Sequence, residues 1–439
     1  MLYQEIVRVL SEDITNGTLK PGDRLPTHRD LASRLGTARS TIRHAYAEAE
    51  QLGLISSQVG RGTFVGREPT NDRSSRQSKE NQEISLLLDN PLGQFGPNMH
   101  KHVCELLRTD DLSEYVKRQP VSGTLRHREA GARWLSLYGL ERGADQVILT
   151  AGSQHALFLT LLQNLRPGDT LLTSATTYSG LLRIARTLSI NVIGMPMDEG
   201  GLLPDAVDAM CRKHKTRALY CTPTIHNPLT MTMDTLRREA IAEIARKNDL
   251  LVIEDDALRL FEDVGPPPIA SLAPERTVFI GNFTKPVALG VRVAYVSAPE
   301  HTLARISEGL FVNLFYTCTL SSALASHLIE SGEAQRVLEP KRVELRQRHA
   351  MIQELLGPHA NKAMSPSLYY WLELNDSWSP TQFVKAASNK GVTLGHARLF
   401  HWNEHVPNAV RFCYTSTTGR DELRQSIAIM RGMLEQHHA

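Results

Sequence analysis

The sequence predicts two folds in one chain: a small helical module closed by a β-hairpin over residues 1–66, and a multi-domain α/β body over residues 85–439 built on a parallel, doubly wound sheet. Three observations carry that prediction. Residues 67–83, REPTNDRSSRQSKENQE, hold no aliphatic or aromatic side chain, so this stretch buries nothing and cannot recover its ordering entropy. From Ile84 to about residue 300, short β-branched runs alternate with helical patterns, the signature of strands joined by crossover helices. Ahead of the polar stretch stand three helix-patterned segments and two short strand-like runs around Gly60-Arg61-Gly62.

Residues 67–84 are therefore assigned as a flexible linker, with a reach of about 20 to 25 Å as a random coil. The body divides into a large domain over about 85–300 and a small domain over about 301–439, where a long helical pattern (Lys341 to Leu356) opens a mixed segment. A chain of 439 residues exceeds what one hydrophobic core serves. No apolar run approaches the roughly 20 residues needed to span a bilayer, and a cytoplasmic protein without membrane contact is expected. The five cysteines (Cys104, Cys211, Cys221, Cys318 and Cys413) are scattered without a CxxC pair, so neither a disulfide framework nor a metal site is expected. With 49 Lys and Arg against 47 Asp and Glu, bulk charge says nothing about nucleic acid. Residues 1–66 are nearly balanced too, with eight basic and seven acidic residues, so binding there needs a clustered face.

In the first module, Leu2, Ile6, Val9 and Leu10 form a helical stripe over Leu2 to Ile14. Leu25 to Gly36 reads as a short helix with Thr27 as N-cap and Gly36 as stop. Thr37 can cap the next helix, whose inner face is Ile42, Ala45, Tyr46, Ala49 and Leu52. That spacing leaves Arg39 and Arg43 one turn apart on the outer face, with Ser40 and Thr41 near the N-terminus. A recognition helix sends such N-terminal residues into the major groove. Arg61, at the tip of the hairpin Leu54 to Val65, is placed to reach the minor groove or phosphates. The run Pro21-Gly22-Asp23-Arg24-Leu25-Pro26, then Arg29, Arg39-Ser40-Thr41-Ile42-Arg43 and Gly60-Arg61-Gly62-Thr63-Phe64-Val65 resembles the winged helix-turn-helix of GntR-type regulators. The resemblance implies double-stranded operator DNA as partner, with Arg29 also contacting it from the second helix.

In the large domain, Thr150 to Ala156 lies between a strand and a helix, so its free amides can face an anion. Downstream come Tyr178, Asn227-Pro228, Glu254-Asp255-Asp256, Lys285 in Gly281-Asn282-Phe283-Thr284-Lys285-Pro286, and Arg292 seven residues later. In that order and spacing they resemble the class I aminotransferases, which have fold-type I and bind pyridoxal 5'-phosphate. With the first module, the chain resembles the MocR-type regulators.

The resemblance implies that Lys285 holds the cofactor's aldehyde, that Gly152, Ser153, Gln154 and Arg292 hold its phosphate, and that Asp255 keeps the ring nitrogen protonated. Tyr178 would stack on the ring, Asn227 would bond the ring oxygen, and Asn282 would occupy the serine position before the lysine. Tyr115 would reach the phosphate of a partner subunit in a homodimer, and Arg411 would take the carboxylate of an amino-compound effector. Glu254 and Asp256 are read as solvated or helix-capping. Leu258 stands where the family has a tyrosine, and Leu229-Thr230 follow Asn227-Pro228 where the family has Thr-Gly. The expected function is a transcription regulator that binds the cofactor and senses it or an amino compound; the alternative is an active aminotransferase carrying a DNA-binding arm.

Overall fold

Helical periodicity of apolar residues closes the first unit. The computed structural model describes residues 3–436 except 16–17, 21, 52–53, 59–61, 66–83, 260–264, 362–363 and 404. It separates into two compact units, residues 1–82 and 83–439. In the first, α1 (Tyr3–Thr15), α2 (His28–Leu35) and α3 (Arg39–Gln51) precede the antiparallel pair β1 (Ile55–Gln58) and β2 (Gly62–Val65). Their core is Ile6, Val7 and Leu10 of α1, Leu25, Ala32, the α3 face Ile42, Ala45, Tyr46 and Ala49, and Ile55 and Val65. Val9 does not join the expected stripe: it is 43% exposed, and Val7 takes its place because the buried face starts at Tyr3 and runs i, i+3, i+4, i+7 through Ile6, Val7 and Leu10. Thr27 caps α2 by accepting the Asp30 N–H, and Gly36 ends it at φ 58, a left-handed turn that glycine adopts at no steric cost. The ladder of α3 starts from the Ala38 carbonyl, which accepts from Thr41 and Ile42 N–H, one residue after the expected Thr37 cap. The hairpin tip with Arg61 and the linker 67–83 lie outside the described residues.

In the second unit the strands are β3 (Ile84–Ser85), β4 (Val147–Thr150), β5 (Thr170–Ser174), β6 (Asn191–Met195), β7 (Met197–Asp198), β8 (Gly201–Leu202), β9 (Thr216–Cys221), β10 (Leu251–Asp256), β11 (Thr277–Asn282) and β12 (Ala294–Ser297). The small domain adds β13 (Tyr369–Glu373), β14 (Val392–Thr393), β15 (Gly395–His396) and β16 (Ala409–Cys413). Seven strands form the main sheet in the order β4-β12-β11-β10-β9-β5-β6. All neighbours are parallel except at β12, which runs antiparallel to β11 and β4. The fully parallel expectation fails there because only residues 283–293 join β11 to β12, too few for a crossover helix. Every residue of β11 and all but the first of β10 are buried, as a sheet covered on both faces demands.

Two expected boundaries move. Ile84, assigned to the linker, pairs in β3 with Val392 of β14. The small domain does not begin near 301: Leu303, Ile306 and Leu310 pack into one large-domain core and Ala323, Leu324 and Leu328 into another. Its own core instead joins Leu345, Ile352 and Leu356 of the helix Leu338–Leu356 to β13, β16 and the lead-in residues Leu86 and Leu92. Among the described residues no helix is long and apolar enough to cross a membrane.

Glu254, Asp255 and Asp256 at the end of β10 are all buried, which corrects the solvated reading for Glu254 and Asp256. Glu254 does cap a helix, accepting the N–H of Ile269 and Ala270 at 3.0 and 2.8 Å. Arg238, with no exposed surface, stands 3.9 Å from Glu254 and donates to Met233 O, Pro223 O and Thr224 Oγ1 at 3.0 Å each. It thereby ties the strand end to the loop carrying Asn227. Removing one partner of a buried charge network costs about 3–5 kcal/mol. Arg238→Met is therefore expected to destabilise the second unit by about that amount, read from the shift of its denaturant unfolding midpoint.

Candidate functional site

The carboxyl ends of β9, β10 and β11 lie side by side, with Glu254 opposite Cys221, Asp255 opposite Ile280 and Asp256 opposite Gly281. Ligands of open α/β sheets bind beyond such ends. A cavity opens here, lined by Ser153, Gln154, Tyr178, Asn227, Asp255, Asn282, Lys285 and Arg292 of the sequence-derived set.

Lys285 sits on the short β11–β12 connection, and that turn is pinned. The Asn282 carbonyl accepts from Trp134 Nε1 at 3.2 Å and Tyr138 OH at 2.7 Å. Asn282 Oδ1 accepts the Lys285 N–H at 3.2 Å, and Thr284 Oγ1 donates to Val293 O at 3.1 Å. The buried amine of Lys341 holds the next residues, donating to Pro286 O and Val287 O at 2.9 and 3.0 Å. Lys285 Nζ lies 3.2 Å from Asp89 Oδ2. Burial would push this amine down, but the Asp89 carboxylate, with Tyr369 and Tyr178 beside it, holds it well above the usual lysine range. A lysine so protonated must give up a proton before its nitrogen can attack a carbonyl.

Asp255 is 6% exposed, and its Oδ2 accepts from Tyr220 OH at 2.9 Å while Oδ1 has no partner. Burial pushes its carboxyl up to about 6, against the Tyr220 hydrogen bond and the Lys285 charge. A cationic N–H set against Oδ1 would restore the ionised form.

At the other end, Gly152 precedes the helix Ser153–Asn164 with φ 91, and a Cβ there would come within 3.0 Å of Arg292 Nη2. The glycine thus lets the guanidinium lie against the helix N-terminus, an anion-binding arrangement. Arg292 itself adopts φ 54, a conformation costly for a side chain with a Cβ and retained at functional sites. Tyr178 donates to Gln154 Oε1, and its ring fills the space over Gly180, where a Cβ would approach to 2.4 Å.

Besides the Asp89 oxygen that faces Lys285, five polar atoms of the lining are buried without a partner: Ser153 Oγ, Thr222 Oγ1, Asn227 Oδ1, Asp255 Oδ1 and Tyr369 OH. Buried polar groups are normally satisfied, so the cavity fits a polar ligand with an anionic end at Gly152, Ser153 and Arg292 and a basic nitrogen at Asp255. The residues present fit a phosphorylated pyridine aldehyde.

Three assigned residues are not in this lining: Gly152, which abuts Arg292 just before the helix, Arg411 and Tyr115. Arg411 is buried, donates to Leu87 O at 2.8 Å, and stacks 4.3 Å from the Phe400 ring centroid and 5.0 Å from that of Tyr369, with Nε unpartnered. Tyr115 donates to Asp110 at 2.5 Å. Sequence reasoning missed Asp89, Tyr220, Thr222, Tyr369 and Lys341. Tyr220 and Tyr369 stand in continuously buried apolar runs that mark them as core, while Asp89 and Lys341 give no local signal.

On the first unit, Arg29, Arg39, Ser40 and Arg43 line one concave surface with Thr27 and His28. All four are exposed, and among the described residues the three guanidiniums have no ion-pair partner. Thr41 is half-buried and stands outside this lining.

The family described as bacterial regulatory proteins, gntR family, matches residues 2–65, and aminotransferase class I and II matches residues 97–427. The chain is 27% identical to the uncharacterized HTH-type transcriptional regulator YdeF of Bacillus subtilis (strain 168), over 99% of this chain and 94% of that one. It is 30% identical to the HTH-type pyridoxine biosynthesis transcriptional regulator PdxR of Corynebacterium glutamicum, over 80% and 78%. Among solved structures, an archaeal alanine:glyoxylate aminotransferase superposes with TM-score 0.76 at 22% identity, over 83% of this chain and 93% of that one. LysN of Thermus thermophilus, an α-aminoadipate aminotransferase, gives 0.74 at 22%, over 81% and 93%.

Asp89→Asn removes the carboxylate that keeps Lys285 protonated and leaves burial as the dominant influence on the amine. Its titration is expected to fall by about 1–3 pH units. Reductive methylation of Lys285, followed by mass spectrometry across pH, should then extend to lower pH than in the wild type. An unchanged profile would mean that Asp89 does not control the amine.

Proposed function

The chain belongs to the class I and II aminotransferases, carries a gntR-family module ahead of that domain, and is a transcription regulator of the GntR/MocR type; from this we propose that it binds pyridoxal 5'-phosphate at Lys285 and reports its occupancy to DNA. The observation that carries the proposal is the cavity at the ends of β9–β11, where an amine, an unpartnered buried carboxylate oxygen and an anion cradle converge. Pyridoxal phosphate supplies an aldehyde that a lysine captures and a ring that withdraws electrons when its nitrogen is protonated. Lys285 would hold the aldehyde carbon, Gly152, Ser153, Gln154 and Arg292 the phosphate, and Asp255 the proton on the ring nitrogen. Tyr178 would cover the ring, and Asn227 and Asn282 would border its oxygen side.

Coupling runs through the lead-in segment. Lys285 meets Asp89 and Arg411 holds Leu87 O, so the two cations that would receive the aldehyde and an effector's carboxylate both grip the chain just past the linker. A ligand that takes those cations releases the segment leading to the DNA-binding module, a population shift driven by differential contacts. The name of the 30% identical relative favours the cofactor itself, or a vitamer, as the signal; an amino compound reaching Arg411 is the second candidate. A homodimer is part of the proposal. Val116, Val312 and Phe315 are 88%, 77% and 56% exposed, and Arg118 lies over Phe311, which supports an apolar contact surface near Tyr115.

Arg29, Arg39, Ser40 and Arg43, with Thr41 beside them and Arg61 at the hairpin tip, would contact the DNA. DNA selected from a random pool by the full-length protein provides the assay. Its affinity should change at least several-fold on adding pyridoxal phosphate to the wild type and stay constant for Lys285→Ala. Arg43→Ala should weaken binding and, if the residue meets a phosphate, lower the salt slope by about 1. Equal affinity with and without the cofactor would refute the sensor reading.

A further inference from the structure

Away from the cavity, helices Met99–Thr109 and Thr319–Glu330 pack against each other, and three side chains bring one ligating atom each to a common point. His102 Nδ1 is 3.2 Å from Glu105 Oε2 and 3.3 Å from His327 Nε2, and the last two are 3.4 Å apart. His102 and Glu105 share a helix face through their i, i+3 spacing. His327 comes from a segment 225 residues away from His102, which is why no sequence spacing announces the group.

Hydrogen bonds cannot satisfy this triangle. An ionised carboxylate only accepts, and each imidazole nitrogen either donates or accepts. Whatever the tautomers, one edge therefore sets two donors or two lone pairs against each other. A cation at the centre removes the conflict by taking a lone pair from every corner. The edge length also selects the ion. Tetrahedral zinc, with bonds of about 2.0–2.1 Å to nitrogen and oxygen, separates its ligands by about 3.3–3.4 Å. An octahedral magnesium site at about 2.1 Å would bring adjacent ligands to about 3.0 Å, and it prefers oxygen donors.

The surroundings are those of a metal ligand. His102 is 3% exposed, and its other nitrogen, Nε2, points to Glu333 Oε1 at 3.7 Å; Glu333 is 7% exposed and also paired with Arg336. A carboxylate behind a ligating histidine fixes the ring and its tautomer. We propose that His102, Glu105 and His327 bind one zinc ion, with the fourth position left to water, and that the ion staples the first helix of the large domain to the helix Thr319–Glu330. The site is separate from the Lys285 cavity, and no residue is shared between them.

The test uses the full-length protein, stripped with a chelator and dialysed, and titrated with Co²⁺ as the spectroscopic probe and then with Zn²⁺. The expected result is one equivalent of cobalt per chain with the intense visible absorption of a tetrahedral ion, displaced by zinc, and a higher thermal midpoint in the metal-bound form. Glu105→Gln and His327→Asn are the chosen variants because their side chains are 37% and 15% exposed, unlike the buried His102. Each should weaken binding at least 100-fold, and Glu333→Gln about 10–100-fold, while Lys285→Ala binds like the wild type. Zinc should also shield His327 of the wild type from diethyl pyrocarbonate, read by mass spectrometry, which needs no variant to fold. Absence of stoichiometric cobalt binding, wild-type affinity in folded Glu105→Gln and His327→Asn, or equal labelling of His327 with and without zinc would overturn the proposal.

Discussion

Three consecutive carboxylates in the core dictate how the rest of the large domain is arranged. Glu254, Asp255 and Asp256 end the central strand with at most 6% of their surface exposed, and an uncompensated buried charge is untenable. Each is answered differently. Two helix amides and Arg238 face Glu254; Thr224 donates to Asp256, whose carboxyl burial and Glu254 push up to about 7. Asp255 receives only the Tyr220 hydroxyl and keeps one oxygen unanswered. Asp256 also keeps an unpartnered Oδ1, but of the three carboxylates only Asp255 lines the cavity.

A second constraint sits opposite. The Lys285 turn is fixed from three sides, by Trp134 and Tyr138 on the Asn282 carbonyl, by the Asn282 side chain, and by Lys341 beneath Pro286 and Val287. Its charge partner comes from elsewhere: Asp89 belongs to the lead-in segment, which Ile84, Leu86 and Leu87 attach to the small domain. The segment is anchored by Leu86 and Leu92 in the small-domain core and by the β3–β14 pairing, so within it the polar contacts of Leu87 and Asp89 are what a ligand in the cavity would meet.

The alternation of β-branched runs and helical patterns revealed the sheet, and Lys285, Asn227 and Tyr178 just past strand ends, with Asp255 near the end of β10, gave the order that carries the resemblance. What escaped was tertiary. Asp89 follows an apolar run like many surface acids, and only its approach to Lys285 gives it meaning. Lys341 lies on a long amphipathic helix where a buried amine has no periodic signature. The antiparallel turn of β12 depends on the length of one connection, and the late start of the small domain depends on which core Leu303 and Leu324 choose. His102, Glu105 and His327 meet only because two helices distant in sequence lie together. On the first unit, Arg39 and Arg43 were legible from helical spacing, whereas the choice of Val7 over Val9 for the core depends on which face of the helix meets its neighbours.

Pyridoxal phosphate on Lys285 is the proposal on which the sensor reading rests. The most direct measurement adds pyridoxal phosphate to the purified protein, reduces with borohydride, and locates the adduct by mass spectrometry. A single stoichiometric adduct on Lys285, sharply reduced in Asp255→Ala, is the predicted result. Labelling spread over surface lysines, or none on Lys285, would contradict the account and leave a DNA-binding regulator whose aminotransferase fold serves only as scaffold.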